Sequence, residues 1–484
     1  MSKIITIFKK SLTNPAILYV ITRYGTYIIQ FINSLFIAVY LGPYYLGIWG
    51  FIGLVLSYIS STNFGIAHSA NVILSVNKEK EEYVKKVIGN ALTIILVLAL
   101  VIILFLLSSQ FSLGEKYGFS SYVFPVIFIS ILGHFNALFA NIFRIYGKIF
   151  TIALNQSLYP VMVIFIIPFF RDGELLWAMV ITNCLSVFIS FLLFLIQAPT
   201  KFRFFFNWDI IKLIQYKGWH LFVYNSSLYF ILISAQSFIS DNYSVTEFGY
   251  YTFSYSFANA ILLLLNSISY LIFPKILNRF GNMDNDSVHR LLESIRVAYI
   301  SLSHLLMHFA VLLFPLFLLL FPNYSGASPV FRLIALAIIL NTNSFGYTGL
   351  LMAKAKEKYL GLITFIALLL NIILTYILVV HLEVHLAYAM SGPLITYFLY
   401  NLQISSAGRK IINLSGSFID TFNDVYPWRM MLPFFLSLIF IITKLPDIFF
   451  TLPFILYIVL NFKDLEVVKN MTLRIINNPN LINI

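Results

Sequence analysis

Two arginines stand inside apolar runs: Arg23 in YVITRYGTYIIQFINSLF (19–36) and Arg332 in YSGASPVFRLIALAIIL (324–340). A charge at the centre of a bilayer costs about 2.5–3.5 kcal/mol on insertion scales, so each calls for a partner or a purpose. If the first run is a helix advancing about 100° per residue, Tyr19, Thr22, Arg23, Thr26, Gln30, Asn33 and Ser34 share one sector of about 120°. Two readings fit this stripe. It either bonds helix to helix while Arg23 snorkels to the surface, or it lines a hydrated wall on which a guanidinium binds an anion. Further along, Asn225, Tyr229, Gln236 and Ser240 share a face of one span, and Thr252, Ser256, Asn259 and Asn266 a face of the next. Uncharged amides and hydroxyls suit sugar hydroxyls, and they serve equally as interhelical links. Arg332 lies a few residues from the end of its span, where it is either an interfacial anchor or a site. The candidate substrate-binding set is Arg23, Thr26, Gln30, Asn33, Asn225, Asn259 and Arg332.

Other chemistries lack their residues. All 19 Asp and Glu fall in loops or at span ends, such as Asp241 and Glu247, which disfavours a cationic cargo because proton relays and cation sites use intramembrane carboxylates. His304 and His308 share a helix face, but no HExxH glutamate accompanies them, and HLEVH (381–385) lies in an outer loop, so no metal site is expected. The single cysteine, Cys184, excludes disulfides within the chain and thiolate metal clusters. There is no Walker A sequence, nucleophile elbow or dinucleotide fingerprint, so neither an enzyme nor a cofactor is expected. Transport would draw on an ion gradient, the membrane potential or the substrate's own gradient.

The elements that must carry these residues are membrane spans. Hydrophobic residues make up 60% of the 484 and charged residues 10%, against about 25% charged in a soluble domain. Apolar runs of bilayer length lie near 17–40, 45–66, 87–107, 122–146, 149–170, 175–197, 219–240, 247–273, 297–321, 327–353, 359–380 and 386–406. Two shorter runs, 430–443 and 447–461, read as a final hairpin. With loops assigned to alternate sides, all 31 Lys and Arg fall on the side of the N-terminus except Lys116, Arg171 and Lys444 and the two within spans. The positive-inside rule then makes both termini cytoplasmic and accounts for the net charge of +12 without nucleic acid. The basic, apolar N-terminus is read as a retained first helix, since no cleavage site follows it.

The halves echo each other. LGPYYLGIWGF (41–51) is matched by YSVTEFGYYTF (243–253) and YGFSSYVFPV (117–126) by YSGASPVFRL (324–333), roughly 200 residues further on. An even number of spans per repeat relates the two by an axis along the membrane normal. The expected fold is thus all-α and polytopic, with two parallel six-helix lobes, 12 transmembrane helices plus a C-terminal hairpin (14 in total), around a central cleft. Residues 1–199 would form the N-terminal lobe, 200–218 a cytoplasmic interfacial linker and 219–410 the C-terminal lobe. Residues 411–484 would hold a loop, the two short spans and a tail. Because the repeat closes near 410, the hairpin is expected to be an appendage.

YLGPYYLGIWGFIGLVLSYISSTNFGI (40–66), SVTEFGYYTFSYSFANA (244–260), YLIFPKI (270–276), and YSGASPVFRLIALAIIL with LLMAKAKEKYLG (324–361) together resemble the Wzx-type polysaccharide flippases. That family shares a superfamily with multidrug and toxic compound extruders and lipid II flippases. The resemblance covers residues 10 to 410 and rests on pattern and order. It implies an inner-membrane flippase moving an undecaprenyl-diphosphate-linked oligosaccharide to the periplasmic leaflet by alternating access, for O-antigen or capsule assembly. A polysaccharide polymerase and a chain-length regulator would be partners beside membrane lipid. Arg23 is similar in place to cleft cations that meet the lipid diphosphate or acidic sugars. Many relatives have an Asp-Phe-Gly-like turn where this chain reads Asn63-Phe64-Gly65, which removes a carboxylate from that point. The competing readings are a drug or cation extruder of the same superfamily, a membrane glycan polymerase or ligase, and a non-transporting scaffold within a glycan assembly complex.

Overall fold

An apolar backbone in hydrocarbon must satisfy its own N–H and C=O groups, and within one segment only a helix does so. The computed structural model describes residues 15–477 apart from 78, 110–111, 113, 202 and 415. It leaves undescribed the side chains of 15–21, 23, 24, 68, 71, 75, 76, 217, 264, 266–275 and 471–477. Every regular element among the described residues is helical. Among the described residues, nine helices are long and apolar enough to cross a membrane, eleven if each of two bent helix pairs is one span. The expected twelve spans and hairpin relate to this count in three ways. Helix α1 (Pro15–Ser61) contains two of them, separated where Gly42 leaves the helical region (φ 66) before Pro43. Val245–Asn282 and Ser391–Ile411 are helical where spans are expected without being among the nine. The hairpin runs form the two bent pairs.

The chain folds as two units, Met1–Phe222 and Val223–Ile484. In unit 1, α1 is followed by α2 (Ile66–Val76), α3 (Glu81–Ser109), α4 (Val123–Ile145), α5 (Ile149–Ile166) and α6 (Asp172–Ile196). Its buried cluster joins Ile73 of α2, Ile88 of α3, Phe139 and Phe143 of α4, Ile152 of α5 and Phe194 of α6. The outer face of α3 instead exposes Val97, Val101, Leu104 and Phe105. Exposed apolar surface of that extent fits lipid as its solvent.

Helix α7 (Trp208–Asn242) crosses the boundary between the units. Its first turns overlap the segment expected as an interfacial linker, and Ile214 joins the unit 1 core. The strap before it is bonded to α3: Asn207 N–H donates to Asn90 Oδ1 (2.6 Å) and Thr93 Oγ1 to the Phe205 carbonyl (2.9 Å).

Unit 2 continues with α8 (Val245–Asn282), α9 (Asn285–Leu318), α10 (Ala327–Thr342), α11 (Tyr347–Ala353), α12 (Glu357–Tyr376) and α13 (Ser391–Ile411). The boundaries α7/α8 and α8/α9 are set by caps. Ser244 and Glu247 form a capping box at the start of α8, and Asp284 accepts the Ser287 N–H at the start of α9. Helix α10 is buried on all sides and packs against α8, α9 and α13.

The last elements are α14 (Phe418–Val425), α15 (Trp428–Ile442), α16 (Thr451–Leu460) and α17 (Phe462–Asn477). They are not the appendage expected from the repeat. Tyr457 Oη donates to the Ser301 carbonyl on α9 (2.7 Å), α15 packs on α10, and Asp447 pairs with Arg332. The repeat is silent here because these contacts have no counterpart to echo.

Candidate substrate-binding site

On α1 of unit 1, Thr26 and Asn33 are buried and already bonded. Thr26 Oγ1 donates to the Thr22 carbonyl one turn back (2.8 Å), and Asn33 Nδ2 donates to the Pro160 carbonyl of α5 (2.7 Å). Asn33 Oδ1 is buried with no hydrogen-bond partner among the described residues. Gln30 is exposed, so it presents its amide outward from the stripe. Arg23 lies on the same helix, with its side chain outside the described residues.

In unit 2, Asn225 and Tyr229 are exposed on α7, while Gln236 and Ser240 further along the same helix are buried. On α8, Thr252 is buried and donates to the Phe248 carbonyl (2.8 Å), and Ser256 and Asn259 are half-buried. The side chain of Asn266 is outside the described residues. Sequence reasoning passed over Asn371 of α12, which ties α12 to α7 by donating to the Ile231 carbonyl (2.7 Å) and Ser234 Oγ (2.9 Å). It also passed over a set of interior tyrosines. Tyr251 and Tyr255 stack with ring centres 6.1 Å apart, and Tyr224 is hydrogen-bonded to Tyr400.

A polar constellation surrounds Arg296 of α9, which is 4% exposed. Its Nη1 donates to the carbonyls of Asn343 (2.9 Å) and Phe345 (3.1 Å), and its Nη2 to the carbonyl of Asp424 (3.2 Å). Its guanidinium lies 4.4 Å from the centre of the Tyr347 ring. The Asp424 carboxylate accepts from Tyr347 Oη and pairs with Arg409 at 3.7 Å. Carbonyls 343 and 345 belong to the break between α10 and α11, where helix ends leave acceptors unsatisfied. Gly346 makes that break at φ 90, and a Cβ there would stand 2.7 Å from Leu292 and 3.2 Å from Arg296. The reaching arginine therefore requires a glycine at 346. The legible signal was NSFG (343–346), which echoes TNFG (62–65) at the other helix break.

Above this cluster, His304 Nε2 meets Asn343 Oδ1 (3.1 Å), and His304 and His308 both stack on Tyr457. No group of three or more metal-ligating side chains stands together among the described residues. Arg332 is neither a snorkelling anchor nor exposed. It is 6% exposed, bonded to Asp447, with its guanidinium 3.9 Å from the Phe450 ring centre, because the C-terminal elements cover it. None of the 19 carboxylates is buried.

A family model for polysaccharide biosynthesis proteins matches residues 12–278. Among solved structures, the lipid II flippase MurJ in an inward closed conformation is similar with TM-score 0.68 and 16% identity, over 94% of this chain and 100% of that one. An inward-facing multidrug resistance MATE family transporter of the MOP superfamily is similar with TM-score 0.64 and 14% identity, over 81% and 98%. MATE in the straight conformation follows at 0.58 and 15%, over 83% and 97%. No curated protein sequence matches the chain. Likeness at such identities speaks for the fold alone: an all-helical, multi-pass membrane fold of the MurJ and MATE kind.

Proposed function

Because the chain belongs to the polysaccharide biosynthesis protein family, we propose that it is a flippase for undecaprenyl-diphosphate-linked oligosaccharides, acting by alternating access in O-antigen or capsule assembly. In this reading it resides in the bacterial inner membrane with both termini cytoplasmic, performs no covalent chemistry, and serves a polysaccharide polymerase and a chain-length regulator. The observation that carries the reading is the polarity of its spans. Exposed or half-buried amides and hydroxyls (Gln30, Asn225, Tyr229, Asn259) occur with no buried carboxylate among 19 acids. Such groups exchange hydrogen bonds with sugar hydroxyls, whereas an extruder of cations calls for an intramembrane acid. Arg23 supplies the complementary charge for the diphosphate, since guanidinium grips phosphate oxygens with two parallel N–H bonds. Asn33 ties that helix to α5 through the Pro160 carbonyl, while Thr26 bonds back to the Thr22 carbonyl of its own helix.

Deletion of the gene tests the proposal. The expected result is loss of one surface glycan, with its lipid-linked unit accumulating on the cytoplasmic face. Accumulation of unpolymerised units on the periplasmic face would instead identify a polymerase, and an intact glycan with new drug sensitivity an extruder.

A further inference from the structure

One end of unit 2 contains a cavity of ≈ 740 Å³ that the proposed transport cycle does not use. Pockets of roughly 300–1,000 Å³ are the size that holds small ligands. This one is bounded by the end of α9, the start of α10 and the end of α15, and its wall divides by chemistry. One part is cationic and hydroxylic, with Arg332, Lys444, Ser325 and Ser328; the other is apolar, with Leu318 and Leu319. Leu319 is 76% exposed, and the neighbouring Leu316 and Leu320 are exposed as well, so the apolar part opens onto surface of lipid-facing character.

Two polar atoms here are buried without hydrogen-bond partners among the described residues: Arg332 Nε and Ser328 Oγ. Buried donors left unmade are uncommon, and an N–H on a guanidinium is among the most costly to leave so. Asp447 occupies Nη2 of Arg332 and also lines the cavity. Against that one carboxylate stand Arg332 and Lys444, so the wall keeps an excess positive charge. The N-terminal end of α10, the positive end of its dipole, faces the same space through Ser328 and Pro329. An occupant must therefore be anionic at one end and apolar at the other.

We infer that this cavity binds the phosphate group of an anionic lipid, held by Arg332 Nε, Ser328 and Lys444, with its chains along Leu318 and Leu319. The leaflet rests on the topology proposed above, which places Lys444 at the outer face. The site itself does not depend on flipping, so a failure of the flippase reading leaves it standing if the binding result below holds.

The test uses the full chain carrying Cys184→Ser and Ser325→Cys, purified in neutral detergent, with maleimide labelling of position 325 as the readout. Short-chain phosphatidylglycerol should slow labelling at least fivefold, and the same concentration of short-chain phosphatidylcholine should leave it unchanged. Adding Lys444→Glu, an exposed change, should abolish the protection. Equal protection by phosphatidylcholine, or protection that survives Lys444→Glu, would overturn the inference. Equal protection by inorganic phosphate would overturn the lipid as the source of the anion. In intact cells, labelling of the Ser325→Cys variant by an impermeant maleimide from the cytoplasmic side only would overturn the outer-leaflet placement.

Discussion

Replacing Arg296 with methionine tests whether the helix break between α10 and α11 is held by this side chain. The change retains an apolar stem of similar length and deletes three hydrogen bonds, to the carbonyls of Asn343, Phe345 and Asp424. Arg296 Nε also pairs with the Asp424 carboxylate at 4.0 Å; hydrogen bonds to a charged group contribute about 1.5–3 kcal/mol each, and breaking a buried ion pair costs about 3–5 kcal/mol. The three bonds are not additive here, because Asp424 keeps Arg409 and Tyr347 as partners. The lower end of the range therefore applies, about 3 kcal/mol. Arg296→Lys preserves the charge without the fork and should lose roughly half as much. The assay is equilibrium unfolding of the purified full chain in mixed micelles. The double variant Arg296→Met/Asp424→Asn isolates a coupling above about 1 kcal/mol. An Arg296→Met protein within about 0.5 kcal/mol of its parent would refute the argument, since a buried guanidinium that anchors nothing would then be tolerated at no gain.

Three further outcomes are expected. In a Cys184→Ser background, Gln30→Cys should react with an impermeant maleimide and Ile28→Cys should not; Ile28 is 57% exposed, so exposure alone does not separate them, and equal rates would show that the polar stripe is not wetted. Truncation after Arg409 should abolish folded, membrane-inserted protein, because it removes Asp447 from Arg332, Asp424 from Arg296 and Tyr457 from Ser301; normal insertion by protease-protection would restore the appendage reading. Ser417 donates backbone and side-chain hydrogen bonds to Asp420, which lowers that carboxyl below its ordinary 3.8. A depressed carboxyl stabilises fully above its unfolded value and loses the contribution as pH falls through its folded one. Hydrogen exchange in α14 should therefore stay slow at pH 5 and quicken only below the ordinary 3.8, and quickening already at pH 5 would contradict this cap.

The helical spans were legible because bilayer thickness imposes a length and a composition that no local context overrides. The stripe on α1 was legible for the same reason, as residues on one helix face have fixed spacing. What escaped notice lies far apart in the chain. Arg296 stands at the end of the charged stretch LNRFGNMDNDSVHRLLESIR (277–296), yet its acceptors are 47 to 128 positions away. Arg332 meets its carboxylate 115 residues later, and nothing in either neighbourhood announces the pairing. Helix α13 lies where the apolar run 386–406 is expected, although it carries Ser391, Thr396, Asn401 and Gln403. The final hairpin was misjudged because the repeat speaks only for what is repeated. Of the candidate site, the residue types were readable, and the bonds that already occupy Thr26 and Asn33 were not.

Translocation in a purified system addresses the central claim most directly. The full chain is reconstituted into liposomes whose lipid-linked oligosaccharide carries a fluorescent sugar, and an impermeant quencher added outside reports the fraction accessible over time. The account predicts that wild-type protein exposes labelled lipid initially confined to the inner leaflet, that Arg23→Ala abolishes this, and that Arg23→Lys retains part of it. Undiminished translocation by Arg23→Ala, or no translocation by a wild-type protein that is folded and inserted, would contradict it.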